Sequence, residues 1–159
     1  MSYTESKDIL NQIKGVIDEY VEKYRKSTLP PIMRCEIYRL DSESTEMLAG
    51  ESNPKKYVNW PDYWPSKGSP GIYCFFNKEN LLYIGKASLQ TLDNRVGSYF
   101  KYSEDKKRGV LKNIGSWTAE PTHIVMWTVP KEMFFEASAL EEYLISKLKG
   151  HLPDNVIGK

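Results

Sequence analysis

Two cysteines in 159 residues, Cys35 and Cys74, supply neither a disulfide framework nor a metal cage of the finger type. A reducing compartment suits them best. No apolar run is long enough to span a bilayer, and the start of the chain, Met1 to Asp8, has no basic region, apolar core or small-residue cleavage pattern. The expectation is a soluble, cytoplasmic protein with no membrane partner. The formal net charge is only +1, so the whole-chain field gives no reason to expect a polyanionic partner. Any such partner must be met by local clustering. Internal repeats and low-complexity tracts are also missing. What remains is ordinary globular composition: 40% hydrophobic and 13% aromatic residues, enough apolar surface to offset the entropy lost on folding. Global disorder and two independent large domains are thereby excluded.

From Glu5 to Arg25 the residues Ile9, Ile13, Val16, Ile17, Tyr20, Val21 and Tyr24 recur at three- and four-residue steps, which predicts an amphipathic helix over 5–25. Pro30-Pro31 prevents its continuation. Ile32 to Leu40 suits a half-buried strand, and 41–56 reads as polar loop with at most one helical turn at 45–48. Between Tyr57 and Pro70, Trp60, Tyr63 and Trp64 stand among prolines. Either they pack as a connector over the core or they offer a base-stacking surface, and the sequence leaves both open.

The second part is more regular. Gly71 to Phe76 and Leu81 to Lys86 are strand-like runs joined by a tight polar turn, which predicts an antiparallel hairpin. Helical spacing follows over 89–100, a third strand over 122–129, and a helix over 131–148 stopped by Gly150 and Pro153. The fold class is α/β in the α+β sense: a small three-stranded antiparallel sheet flanked by helices. Residues 1–60 form an N-terminal helix and strand extension, and residues 61–159 form the core.

The last of these helices carries an anomaly. A hundred-degree step places Phe134, Ala137, Leu144, Ile145 and Leu148 on one face, with Glu141 at its centre. A carboxylate there is costly unless it is paired, protonated, hydrogen-bonded or bound to a metal. Glu142 at the edge and Glu136 on the far side are explained by ordinary solvation. In the hairpin, simple register sets Tyr73 opposite Ile84 and brings Lys86 diagonally onto the same face, where an ammonium group favours the phenolate and makes a better general base. One bulge reverses those faces. From Lys86 to Lys112, seven basic residues (Lys86, Arg95, Lys101, Lys106, Lys107, Arg108, Lys112) against three acidic ones leave +4, either a phosphate-facing strip or a solvated loop. Arg95 flanks the apolar face of Leu92, Val96 and Tyr99, where its guanidinium reaches a phosphate or its stem merely packs.

Gly71-Ile72-Tyr73, Tyr83-Ile84-Gly85-Lys86, Arg95, Glu141 and Asn155, in this order and spacing, resemble the signature of the GIY-YIG endonucleases. Tyr83 to Phe100 is especially similar to the nuclease domain of the bacterial excision-repair incision subunit. The resemblance implies a metal-dependent DNA endonuclease with a restriction, repair or mobile-element role, leaving 5′-phosphate and 3′-hydroxyl ends. It implies Glu141 as the single protein ligand of Mg²⁺ or Mn²⁺, and Tyr73 or Tyr83 as the group that activates water. Lys86 then tunes the potential, Arg95 holds the scissile phosphate, and Asn155 fixes the site's geometry; Lys101, Lys106, Lys107, Arg108 and Lys112 contact DNA. The alternative is a catalytically idle nucleic-acid-binding module that kept the fold.

Overall fold

The computed structural model describes residues 9–34, 38–40, 56–57, 68–78, 80–104 and 109–148. Along the chain they form α1 (Ile9–Tyr24), β1 (Met33–Arg34), β2 (Tyr38–Arg39), β3 (Lys56–Tyr57), β4 (Gly71–Asn77) and β5 (Asn80–Ala87). Then come α2 (Leu92–Gly97), β6 (Phe100–Tyr102), β7 (Gly109–Leu111), a 3-10 turn at Ile114–Ser116, β8 (His123–Thr128), a second at Lys131–Met133, and α3 (Glu136–Leu148). The Trp60, Tyr63 and Trp64 stretch, the 41–55 loop with its helical turn, and Cys35 lie outside the described residues.

Aliphatic and aromatic runs on both sides of the 77–80 turn make β4 and β5 an antiparallel hairpin, with Lys78 at φ +52 carrying the chain around the corner. β8 pairs antiparallel along the other side of β4, completing the expected three-stranded centre. The short strands β1 and β2 pair antiparallel with β8, and β3 runs parallel to β2, so the N-terminal part widens the sheet to the order β3-β2-β8-β4-β5. At the opposite end, β5 is left as an edge.

Each face of this sheet has its own core. On one side, Ile72, Cys74, Phe76, Ile84 and Val125 pack against Ile9, Leu10, Ile13 and Ile17 of α1 and Ala137, Leu140, Leu144 and Leu148 of α3. Cys74 is fully buried there, and burial pushes its thiol well above the ordinary value. On the other side, Tyr73, Phe75, Tyr83, Ile124 and Met126 pack against Leu92 and Val96 of α2 and Phe100 and Leu111 of the β6–β7 ribbon.

Three expectations need correction. The hairpin register slips by one residue between Phe75 and Phe76, so Tyr73 stands opposite Gly85, not Ile84, and Lys86 stands opposite Ile72. The cause is a bulge: Leu82 and Tyr83, although consecutive, both pack on the α2 side. Helical structure over 89–100 shrinks to Leu92–Gly97, because Phe100 leaves to pair with Leu111 in the ribbon, and Leu89 is exposed. The last helix begins only at Glu136, which leaves Phe134 and Phe135 partly exposed on the preceding turn.

Glu136 is a fourth correction, a chemical one. It is buried, not solvated, and its Oε2 accepts from the Arg25 Nε at 2.7 Å and from the Tyr20 hydroxyl at 3.1 Å. The wheel was drawn against one neighbour, but α3 has two: the sheet below it and α1 beside it. Glu136 and Tyr143 lie within about 20° of each other at a hundred degrees per residue. Both face α1, where Tyr143 packs against Tyr20 and Tyr24.

Candidate active site

The β4–β5 alternation sends Tyr73 and Tyr83 to the α2 side, with ring centroids 6.1 Å apart in a near-parallel stack. Tyr73 lies over Gly85, where any Cβ would overlap its ring and hydroxyl, so the glycine of the second tripeptide is a steric requirement of the tyrosine in the first. Gly71 is fixed similarly, since a Cβ there would overlap the Trp127 carbonyl oxygen across the β4–β8 ladder. The Tyr73 hydroxyl lies 2.8 Å from that of Tyr99, which follows α2, and the Tyr99 ring lies 6.1 Å from that of Tyr83. Tyr99 was seen in the sequence only as part of an apolar face. It is the hub of a three-tyrosine cluster.

Arg95 enters from α2, a helix tied to the start of β4 by Leu92 N–H donating to the Ser69 carbonyl at 2.8 Å and Gly68 N–H to Asp93 at 3.1 Å. Its guanidinium carbon lies 5.0 Å from the centroid of Tyr99, and its charge acts on Tyr73 and Tyr83 as well. Burial raises Tyr73 and Tyr83 far above the ordinary tyrosine value, and the neighbouring hydroxyls add to it, while the Arg95 cation pulls both the other way. The cation facing the tyrosines is therefore Arg95. Lys86, expected in that role, points to the other face with its ladder partner Ile72.

There Lys86 meets α3, donating from Nζ to the Ser138 hydroxyl at 2.8 Å. Ser138 went unnoticed in the sequence, although it is one turn from Glu141 on the same flank of the helix. Glu141 is half-buried on that flank, beside rather than within the stripe of Ala137, Leu140, Leu144 and Leu148. Burial raises its carboxyl above the usual range, and the charges of Lys86 and Arg95 partly offset this. Its charge also reaches Tyr83. Arg95 from one face and Glu141 from the other thus feel each other past the free edge formed by β5.

The five residues Tyr73, Tyr83, Lys86, Arg95 and Glu141 therefore converge, around an edge strand and not on one face. Lys101 on β6 and Lys112 after β7 are exposed on the ribbon that continues from Tyr99. Lys106, Lys107, Arg108 and Asn155 lie outside the described residues. Glu141 makes no hydrogen bond or ion pair with any described residue, and no group of three or more His, Cys, Asp or Glu side chains gathers among them. A single carboxylate with no direct partner among the described residues fits a hard cation that keeps most of its water, as Mg²⁺ does, and not a zinc-type cage.

No helix among the described residues is long and apolar enough to cross a membrane. No curated protein and no solved structure matches the chain. A family model described as the UvrC-like GIY-YIG domain matches residues 69–152, just over half of the sequence, and these limits run from the start of β4 to just beyond α3. Its members are generally nucleases, and the match takes in both tripeptides together with Lys86, Arg95 and Glu141. By this match and by the hairpin that carries it, the chain belongs to the UvrC-like GIY-YIG family.

Proposed function

We propose that the protein is a metal-dependent DNA endonuclease, with residues 61–159 as its nuclease core and the segment 1–60 as an extension whose helix buttresses α3. The observation that carries the reading is the convergence of a tyrosine cluster, an arginine and a half-buried carboxylate without a direct partner at one edge of the sheet. A carboxylate kept in that position costs stability unless a cation offsets it.

In this reading Glu141 holds Mg²⁺ or Mn²⁺, which when bound supplies Lewis acidity and neutralises charge on the leaving oxygen. Arg95 holds the scissile phosphate with its planar fork of donors. Tyr83 is favoured over Tyr73 as the group that receives the proton of the attacking water. Tyr73 is completely buried and its hydroxyl is committed to Tyr99, whereas Tyr83 retains 6% exposure and feels Glu141. Before it can accept, Tyr83 must shed its own proton, and Arg95 is the side chain that favours this. Lys86, oriented by Ser138, adds positive potential beside Glu141. Lys101 and Lys112, with Lys106, Lys107 and Arg108, supply contacts to the DNA backbone, and Asn155 has the role of fixing the site's geometry.

The test is cleavage of supercoiled, branched and single-stranded DNA with Mg²⁺ or with chelator, alongside Glu141→Ala. Cleavage that needs both the metal and Glu141 supports the reading. Salt-dependent DNA binding without cleavage under any condition would instead establish an idle nucleic-acid-binding module.

A further inference from the structure

We infer that Trp117 is a positioning residue for the tyrosine cluster, holding the rings of Tyr83 and Tyr99 so that their hydroxyls stay aimed into the site. This rests on the nuclease reading for its catalytic consequence. Trp117 follows the 3-10 turn after β7, and that turn is closed by Ser116 N–H and hydroxyl bonds to the Asn113 carbonyl (3.2 and 3.0 Å) and by Trp117 N–H to Ile114 at 3.0 Å. The half-buried indole is thereby brought back over the α2 face of the hairpin.

Its ring centroid lies 5.2 Å from Tyr83, 5.9 Å from Tyr99 and 5.8 Å from Phe75. Tyr83 comes from β5 and Tyr99 from the segment after α2, so a single side chain braces two site tyrosines that belong to separate elements. The Tyr99 contact is edge-on at 82° and the Tyr83 contact is tilted at 60°, arrangements that suit the ring quadrupoles and resist rotation of either phenol. Tyr20 of α1, packed on the opposite face of the sheet with its hydroxyl donating to Glu136, serves as an internal reference.

The experiment compares wild type with Trp117→Ala, Trp117→Leu and Trp117→Phe. Ring-flip rates of Tyr83, Tyr99 and the reference Tyr20 are read by aromatic carbon relaxation, and kcat and KM are measured on a cleaved DNA. A misplacement of about 1 Å is worth up to about a hundredfold in rate, so Trp117→Ala is expected to lose roughly tenfold or more in kcat with KM changed by less than about twofold. Flips of Tyr83 and Tyr99 accelerate while Tyr20 is unaffected, and Trp117→Phe restores both readouts. Trp117→Leu keeps apolar volume without the flat ring, and it gives the same answer if the alanine variant does not fold. Unchanged flips of Tyr83 and Tyr99 overturn the inference, as does a loss confined to KM. If wild type cuts no DNA, the nuclease reading fails while the flip rates still decide whether Trp117 holds the tyrosines.

Discussion

Tyr73 and Gly85 are directly opposed in the β4–β5 ladder, and the ring of one occupies the volume a Cβ on the other would need. Gly85→Ala must therefore displace a fully buried tyrosine. Overpacking of this kind costs about 1–3 kcal/mol, and urea denaturation should show a loss in the upper part of that range. Gly15, exposed on α1 with nothing within 4 Å of its would-be Cβ, provides the control: Gly15→Ala should gain up to about 1 kcal/mol from helix propensity.

The buried pair of Arg25 and Glu136 joins α1 to α3, with both side chains only 4% exposed. Removing either partner strands a charge, so Arg25→Ala and Glu136→Ala should each lose about 3–5 kcal/mol in equilibrium unfolding. The exposed Lys23–Glu19 pair on α1 is a contrast. Lys23→Ala should leave the unfolding midpoint where it is.

Three tyrosines set the alkaline limit of stability. Burial raises Tyr73 and Tyr83 strongly, and desolvation with the nearby Glu136 charge pushes Tyr20 up to about 12. Each native pKa exceeds the unfolded value of about 10, so their stabilisation is complete below that pH and is lost as pH rises above it. Urea midpoints should hold steady from about pH 7 to 9 with respect to these groups and fall beyond about pH 10. Tyr20→Phe should soften that fall.

Glu141 has the opposite character to a paired carboxylate. Its native pKa is raised, so its ionised form at neutral pH works against folding, and that penalty disappears as pH drops through the native value. Glu141→Gln should raise the melting temperature at neutral pH in metal-free buffer while abolishing Mg²⁺-dependent cleavage. A variant that melts lower would show that the carboxylate is held by structure.

Ser138 orients Lys86 through a 2.8 Å hydrogen bond. Ser138→Ala should lower kcat about tenfold, equivalent to the roughly 1.4 kcal/mol of one good hydrogen bond, without changing DNA affinity. Lys86→Met should produce a larger drop, and the double variant should match Lys86→Met alone, since the two side chains act as a unit.

Much of this site was legible in the sequence because local periodicity specifies local elements. The hairpin, the third central strand and the last helix all announce themselves by two- or 3.6-residue spacing, which also singled out Glu141, although it set that residue at the centre of the apolar face and not on the flank it occupies. Register was not legible, because the bulge at Leu82 arises from packing against α2 and leaves no local signature. The fate of Glu136 was hidden for a related reason: a helical wheel shows which residues share a side, not how many neighbours the helix will have. Tyr99 was placed on the correct face, but its hydroxyl found a role only when β4 was brought against the segment after α2.

The divided construction of the site has a temporal consequence. Tyr73, Tyr83, Arg95 and Tyr99 all precede residue 100, whereas the carboxylate on the other side of β5 comes 42 positions after Tyr99, on a helix seated against the sheet and α1. A chain halted between them carries the tyrosines and the arginine without the acid.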